Sequence, residues 1–132
     1  RVDQGEHIFR FWLNGGTLSE RLARIDREAL TCNEPPLALS FFPSGANSGQ
    51  TQPFIILDDP CIQMQALKKA ADSDEIILRL FEPTGTPRST HLKIPSIAID
   101  LAIKLTPFEL RTYKINLHQK TCETTDLLEQ RI

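Results

Sequence analysis

Hydrolysis by a carboxyl pair, one group as acid and the other as base or nucleophile, needs the two placed on either side of one bond, and this chain holds 17 Asp and Glu residues. No motif fixes two of them in a cleft, so spacing nominates no catalytic pair. A metal site would draw His, Cys and carboxylate ligands from closely spaced positions, whereas His7, His91 and His118 are scattered. Asp58-Asp59-Pro60 and Asp72-Ser73-Asp74 lack the spacing of a calcium loop and have the composition of tight turns. Cys32, Cys61 and Cys122 are odd in number and far apart, which fits neither a disulfide framework nor a zinc knuckle. Buried structural thiols in a reducing compartment are the expectation. No Gly-rich phosphate loop occurs, and Trp12 and Tyr113 are expected at core or interface positions.

One charged residue stands out by its neighbours. In Ile76-Ile77-Leu78-Arg79-Leu80-Phe81-Glu82 the apolar side chains occupy both faces of a period-two pattern, which predicts a strand covered on both sides. A guanidinium withdrawn from water there requires a carboxylate or several carbonyl partners. Glu109, from a later strand, is the first candidate partner of Arg79, and Asp100 the second.

The elements that must position these residues are mostly strands. Residues 6–13 alternate unevenly and predict a strand with Phe9, Phe11 and Leu13 on a buried face, ended by Asn14-Gly15-Gly16. Thr17-Leu18-Ser19-Glu20 is a capping box. Leu18, Leu22, Ile25 and Ala29 then recur at helical spacing, predicting a helix over 18–32 with Leu22 and Ile25 against a sheet and Arg21, Arg24, Arg27 and Glu28 in solvent. Asn33 and Pro35-Pro36 close it. Residues 36–42 begin a β-segment, 43–50 form a polar loop, and 54–57 and 62–67 are short strands. A strand follows over 91–94. Ile97, Ile99, Leu101, Ile103 and Leu105 alternate with polar or small residues as a long antiparallel strand with one wet face, and 108–117 forms another strand.

The 132 residues make one domain, able to bury roughly two-thirds of its unfolded surface. A net charge of −2 and the lack of a basic run argue against nucleic acid and anionic membranes as partners. No stretch approaches the ~20 apolar residues of a spanning helix, and no signal pattern is present, so a soluble chain is expected. The sequence opens at Arg1 rather than Met, from which a piece of a longer polypeptide is expected.

Three blocks, Asp3 to Phe11, Lys68 to Gly85 and Pro107 to Thr112, together resemble the C-terminal β-domain of glycoside hydrolase family 38 α-mannosidases. Lys68-Lys69-Ala70, Asp72-Ser73-Asp74, the 76–82 strand and Gly85 are similar to the family's "KKAEDSD", "ILRLYE" and "G". Asp3-x-Gly5-Glu6-His7-x-Phe9-x-Phe11 resembles its "DxGxHxFxY" strand, and Pro107-Phe108-Glu109-Leu110-Arg111-Thr112 its "PFEIKT" strand. One departure is that Thr124-Thr125-Asp126-Leu127-Leu128-Glu129 follows the "PFE" block, where the family pattern would place such an acidic element before it. Either that element is rebuilt at the terminus or the likeness of the tail is accidental.

The resemblance implies an all-β antiparallel sandwich of supersandwich type, with one flanking helix, over residues 1–132. It implies no catalytic or metal-ligating residue in this chain, the zinc and the two carboxylates lying in a missing catalytic barrel. The expected partners are that barrel, in the same polypeptide, and through it a mannose-containing glycan, in the cytoplasm. Arg79, Glu82 and Glu109 are then either at the rim of the sugar cleft or a structural ion pair. A stand-alone carbohydrate-binding or protein-interaction sandwich is the alternative.

Overall fold

The computed structural model of the protein describes residues 4–34, 37–38 and 52–130. Helix α1 (Leu18–Asn33) precedes strands β1 (Ile56–Leu57), β2 (Gln63–Lys69), β3 (Ile76–Phe81), β4 (Arg88–Ile94), β5 (Ile99–Leu105), β6 (Leu110–Asn116) and β7 (Thr121–Thr125). All pairings are antiparallel and give two sheets, in the orders β1-β4-β5 and β2-β3-β6-β7. Leu78, Leu80, Tyr113 and Ile115 from the larger sheet meet Leu92, Ile94, Ile103 and Leu105 from the smaller one in a single core. This is the expected all-β sandwich with one helix.

Strand β3 is apolar on both faces because both are covered. Leu78 and Leu80 enter the core, while Ile77, equally buried, lies on the far face of the sheet. There the C-terminal tail crosses back: the Arg79 guanidinium donates to the Leu127 carbonyl, and the Glu129 carboxylate pairs with Lys68 and accepts the Ala71 N–H at 3.2 Å. In β5 the expected alternation holds, with Ile103 and Leu105 buried and Asp100, Ala102 and Lys104 in solvent. Its start is two residues later than the alternation predicts. Pro95–Ile97 forms a 3-10 turn and Ala98 is left-handed at φ 56°, which reverses the chain first.

Three expectations are corrected. No strand forms over residues 6–13, whose side chains lie in solvent, because no described strand runs beside them. Helix α1 forms where expected, with Glu20 accepting both the Thr17 N–H (3.3 Å) and hydroxyl (2.7 Å), yet Leu22 and Ile25 are 50 % and 52 % exposed. The opposite stripe makes the contacts: Arg27 Nη1 donates to the Pro60 carbonyl at 2.9 Å and Cys61 Sγ to the Ala23 carbonyl at 3.4 Å. Residues 23 and 27, one turn apart, therefore face the sandwich, so Arg27 is not merely a solvated charge. Strand β7 was not anticipated. The β-segment over 36–42 and the loop over 43–50 lie outside the described residues, apart from Leu37 and Ala38.

Candidate functional site

The most organised polar cluster grows from the end of β3. Pro83 cannot donate to a ladder, so the strand stops and the chain turns through Thr84 and Gly85. The Glu82 side chain points inward and is fully buried, a position tolerable for a carboxylate only with donors around it. Its Oε1 accepts the Thr84 N–H (2.9 Å), the Thr84 hydroxyl and Arg88 Nε (3.2 Å); its Oε2 accepts the N–H groups of Gly85 (2.8 Å) and Phe108 (3.1 Å). One buried acid thus fastens two turns together. Gly85 is required twice over, since its φ is +72° and a Cβ there would sit 2.7 Å from Phe108 Cζ. Phe108 itself is left-handed, at φ 58°, and its N–H bond to Glu82 helps hold that conformation.

Burial by itself would raise the Glu82 pKa. The Thr84 hydroxyl and the N–H groups of Phe108, Thr84 and Gly85 overcome it and pull the carboxyl down to about 2. Such a group stays ionised and cannot deliver a proton near neutrality. Arg88 relays the charge onward to Asp59 Oδ2 at 3.2 Å, while Asp59 Oδ1 accepts the Cys61 N–H at 2.8 Å. The Thr90 hydroxyl accepts the Asp58 and Asp59 N–H groups, each at 3.0 Å. Through these bonds the end of β3, the start of β4 and the turn before β2 are locked across the two sheets.

The residues singled out from sequence do not form one site. Arg79 is half-buried, but Nε donates to the Thr112 hydroxyl at 3.2 Å and Nη2 to the Leu127 carbonyl at 3.1 Å. Its expected carboxylate partners are elsewhere. Glu109 accepts the Thr106 N–H (2.7 Å) and hydroxyl (2.9 Å) and pairs with Arg111, while Asp100 meets His91 Nδ1 at 2.6 Å. The reason is register: Arg79 stands opposite Thr112, and Glu109 precedes the paired residues of β6. Asp58 pairs with Lys93, Asp72 with Lys114 and Asp74 with Lys69, so the two acidic turns hold lysines. Trp12 is exposed, whereas Tyr113 is in the core.

The cysteines are free, and burial pushes the Cys122 thiol up to about 11, far from a thiolate at neutral pH. Among the described residues no group of three or more His, Cys, Asp and Glu side chains converges on a point where a metal ion would sit. No described helix is long and apolar enough to cross a membrane. Sequence reasoning found Glu82 but missed its cradle of Thr84, Gly85, Arg88 and Phe108 and the onward bonds of Asp59 to Arg88 and Thr90. The only local signal was an acid followed at once by Pro, Thr and Gly.

Two antiparallel sheets packed around one core define a β-sandwich domain. Residues 62–132 match the family described as the glycosyl hydrolases family 38 C-terminal beta sandwich domain, and with more than half of its length matched the chain belongs to that family. No curated protein and no solved structure matches the chain. The match takes in β3, the Pro107-Phe108-Glu109 turn and the tail in chain order. Thr124-Thr125-Asp126-Leu127-Leu128-Glu129 therefore belongs to the domain, in which β7 and the tail bind back to the sheet. The motif at Asp3 to Phe11 lies before the match.

Proposed function

We propose that this chain is the non-catalytic C-terminal β-domain of a family 38 α-mannosidase, a cytoplasmic enzyme whose remaining polypeptide carries the catalytic barrel. In this role the sandwich packs on the barrel and helps complete the sugar cleft, and the parent hydrolyses α-mannosides with two carboxylates. In this reading the zinc of the family belongs to the rest of the parent. The mannose-containing glycan is met through the parent.

The observation that carries this reading, beside the family, is the state of Glu82. Retaining hydrolysis requires one carboxyl able to protonate a leaving group, yet the buried acid of this chain is saturated with donors and held at about 2. Its work is to make the turns at residues 83–87 and 106–109 rigid, which suits a surface pressed against a cleft. Arg79, bound to the tail of its own domain, is a structural tie in this reading. The test is an assay of the isolated chain on an aryl α-mannoside, with and without added zinc. No turnover above a matched blank is expected; turnover abolished by substituting an acidic residue of this chain would overturn the proposal.

A further inference from the structure

Residues 8–13 have the composition of a strand that belongs inside a sheet. Ile8, Phe9, Phe11, Trp12 and Leu13 are strand-formers or large apolar residues distributed over both faces of a period-two pattern, as in β3. Here they pair with no described strand and expose 56–99 % of their surface. At roughly 150–250 Å² per aromatic side chain, the three rings and two aliphatic chains offer an apolar area on the order of the ~800 Å² that one partner contributes to a stable interface. The surface is continuous with the helix, because Trp12 and Leu13 line a groove with Ile25 and Ala29, and the segment is tied to α1 by a bond from Asn14 to Glu28 at 2.9 Å. Arg10, in the middle of the segment, makes no hydrogen bond or ion pair with any described residue.

A β-type segment that no described strand pairs has three complementary requirements: partners for its row of backbone N–H and C=O groups, apolar cover on both faces, and an anion opposite its cation. An open sheet edge supplies the first two together. We infer that residues 6–13 are a strand donated to an open edge of a β-sheet in the preceding part of the same polypeptide, an edge covered on both faces and carrying a carboxylate opposite Arg10. The preceding part is the occupant because the family to which residues 62–132 belong is by its description a C-terminal domain, and the exposed segment lies on the N-terminal side of it. The inference rests on the proposed function only for the existence of that preceding part, not for its activity.

Hydrogen exchange of the full-length polypeptide, compared with the 132-residue chain, tests it. In the long form the amides of residues 7–13 should exchange at least ~100-fold more slowly than in the short one, while those of β3 and β6 exchange alike in both. Phe9→Ser with Phe11→Ser should abolish that protection in the long form and leave the midpoint of unfolding of the short chain unchanged. Arg10→Gln should lower the protection, and Arg10→Lys should restore part of it. Equal, fast exchange of residues 7–13 in both forms would overturn the inference, as would protection in the short chain, which would make the occupant a second copy where a dimer mass accompanies it and another segment of this chain where none does. Loss of the proposed function alone would leave these exchange rates unchanged and show only in the mannoside assay.

Discussion

Two runs of this chain carry the same kind of pattern and meet opposite fates. In β3, Ile77, Leu78 and Leu80 are wholly buried; in residues 8–13, Phe9, Phe11 and Leu13 stand in water. Neither run is the more apolar in any way that decides this. The strand finds β2 and β6 on its edges, the smaller sheet on one face and the returning tail on the other. The N-terminal run finds no described strand at all. An apolar pattern therefore states that side chains must leave water, and the covering surface can lie beyond the run's own domain. The same contrast divides the charges. Glu82 and Arg88 hold the sandwich shut across its sheets, whereas Arg10 and Glu6 near the start hold nothing described.

The comparison is broken most directly by removing apolar contacts on each side of it. Leu80→Ala should cost about 2–5 kcal/mol, the loss for a fully buried leucine. Leu22→Ala, in a helix with no buried residue, should stay within about 0.5 kcal/mol. Urea unfolding of the two variants gives both numbers. A loss at Leu22 approaching that at Leu80 would mean that the helix is part of the core.

Glu82 sharpens the comparison through pH. Its folded pKa, about 2, lies below the ordinary value of 4.5, so the unfolded chain binds more protons as the solution turns acid. The stability it supplies, on the order of 3 kcal/mol, is fully present above pH 4.5 and drains away as the pH falls through 4.5 toward 2. Glu82→Gln should lose about that amount at pH 7 and show a flatter profile below pH 4.5. An unchanged acid limb in the variant would take the effect away from this residue. A smaller effect is expected at Arg79. The cycle of Arg79→Met with Thr112→Val should show a coupling near 1 kcal/mol, and the cycle with Glu109→Gln should be additive. Coupling to Glu109 instead would restore the ion pair that the register separates.

How far the sequence could be read follows from what each feature depends on. The helix, β3 and the wet face of β5 depend on local period and capping, and they were legible within a residue or two. The cradle of Glu82 was not, because it needs residues 83–85 and 106–108 to meet, and nothing in either turn specifies the other. Arg79 lost its predicted partner for a similar reason: the need of a half-buried guanidinium for a carboxylate on a later strand suggests Glu109, but antiparallel register puts Thr112 opposite and leaves Glu109 to Thr106 and Arg111. β7 was missed although Thr121, Thr124 and Thr125 favour a strand. Its turn lacks Gly and Pro; Asn116 builds it by accepting the N–H groups of His118 and Gln119, and Lys120 adopts φ 55°. The family resemblance reached the fold class correctly, and two of its three blocks, at 68–85 and 107–112, lie within the matched residues.

The single tryptophan makes the central contrast measurable, for Trp12 lies in the exposed run and Tyr113 in the core. Urea unfolding of the 132-residue chain followed by far-ultraviolet circular dichroism should give one cooperative transition. Trp12 fluorescence across the same range should drift without a step at that midpoint, because more than half of its surface is already in water and the rest lies against the helix rather than the sandwich core. Coincident sigmoidal transitions by both probes would show that residues 8–13 fold with the sandwich and would contradict the account.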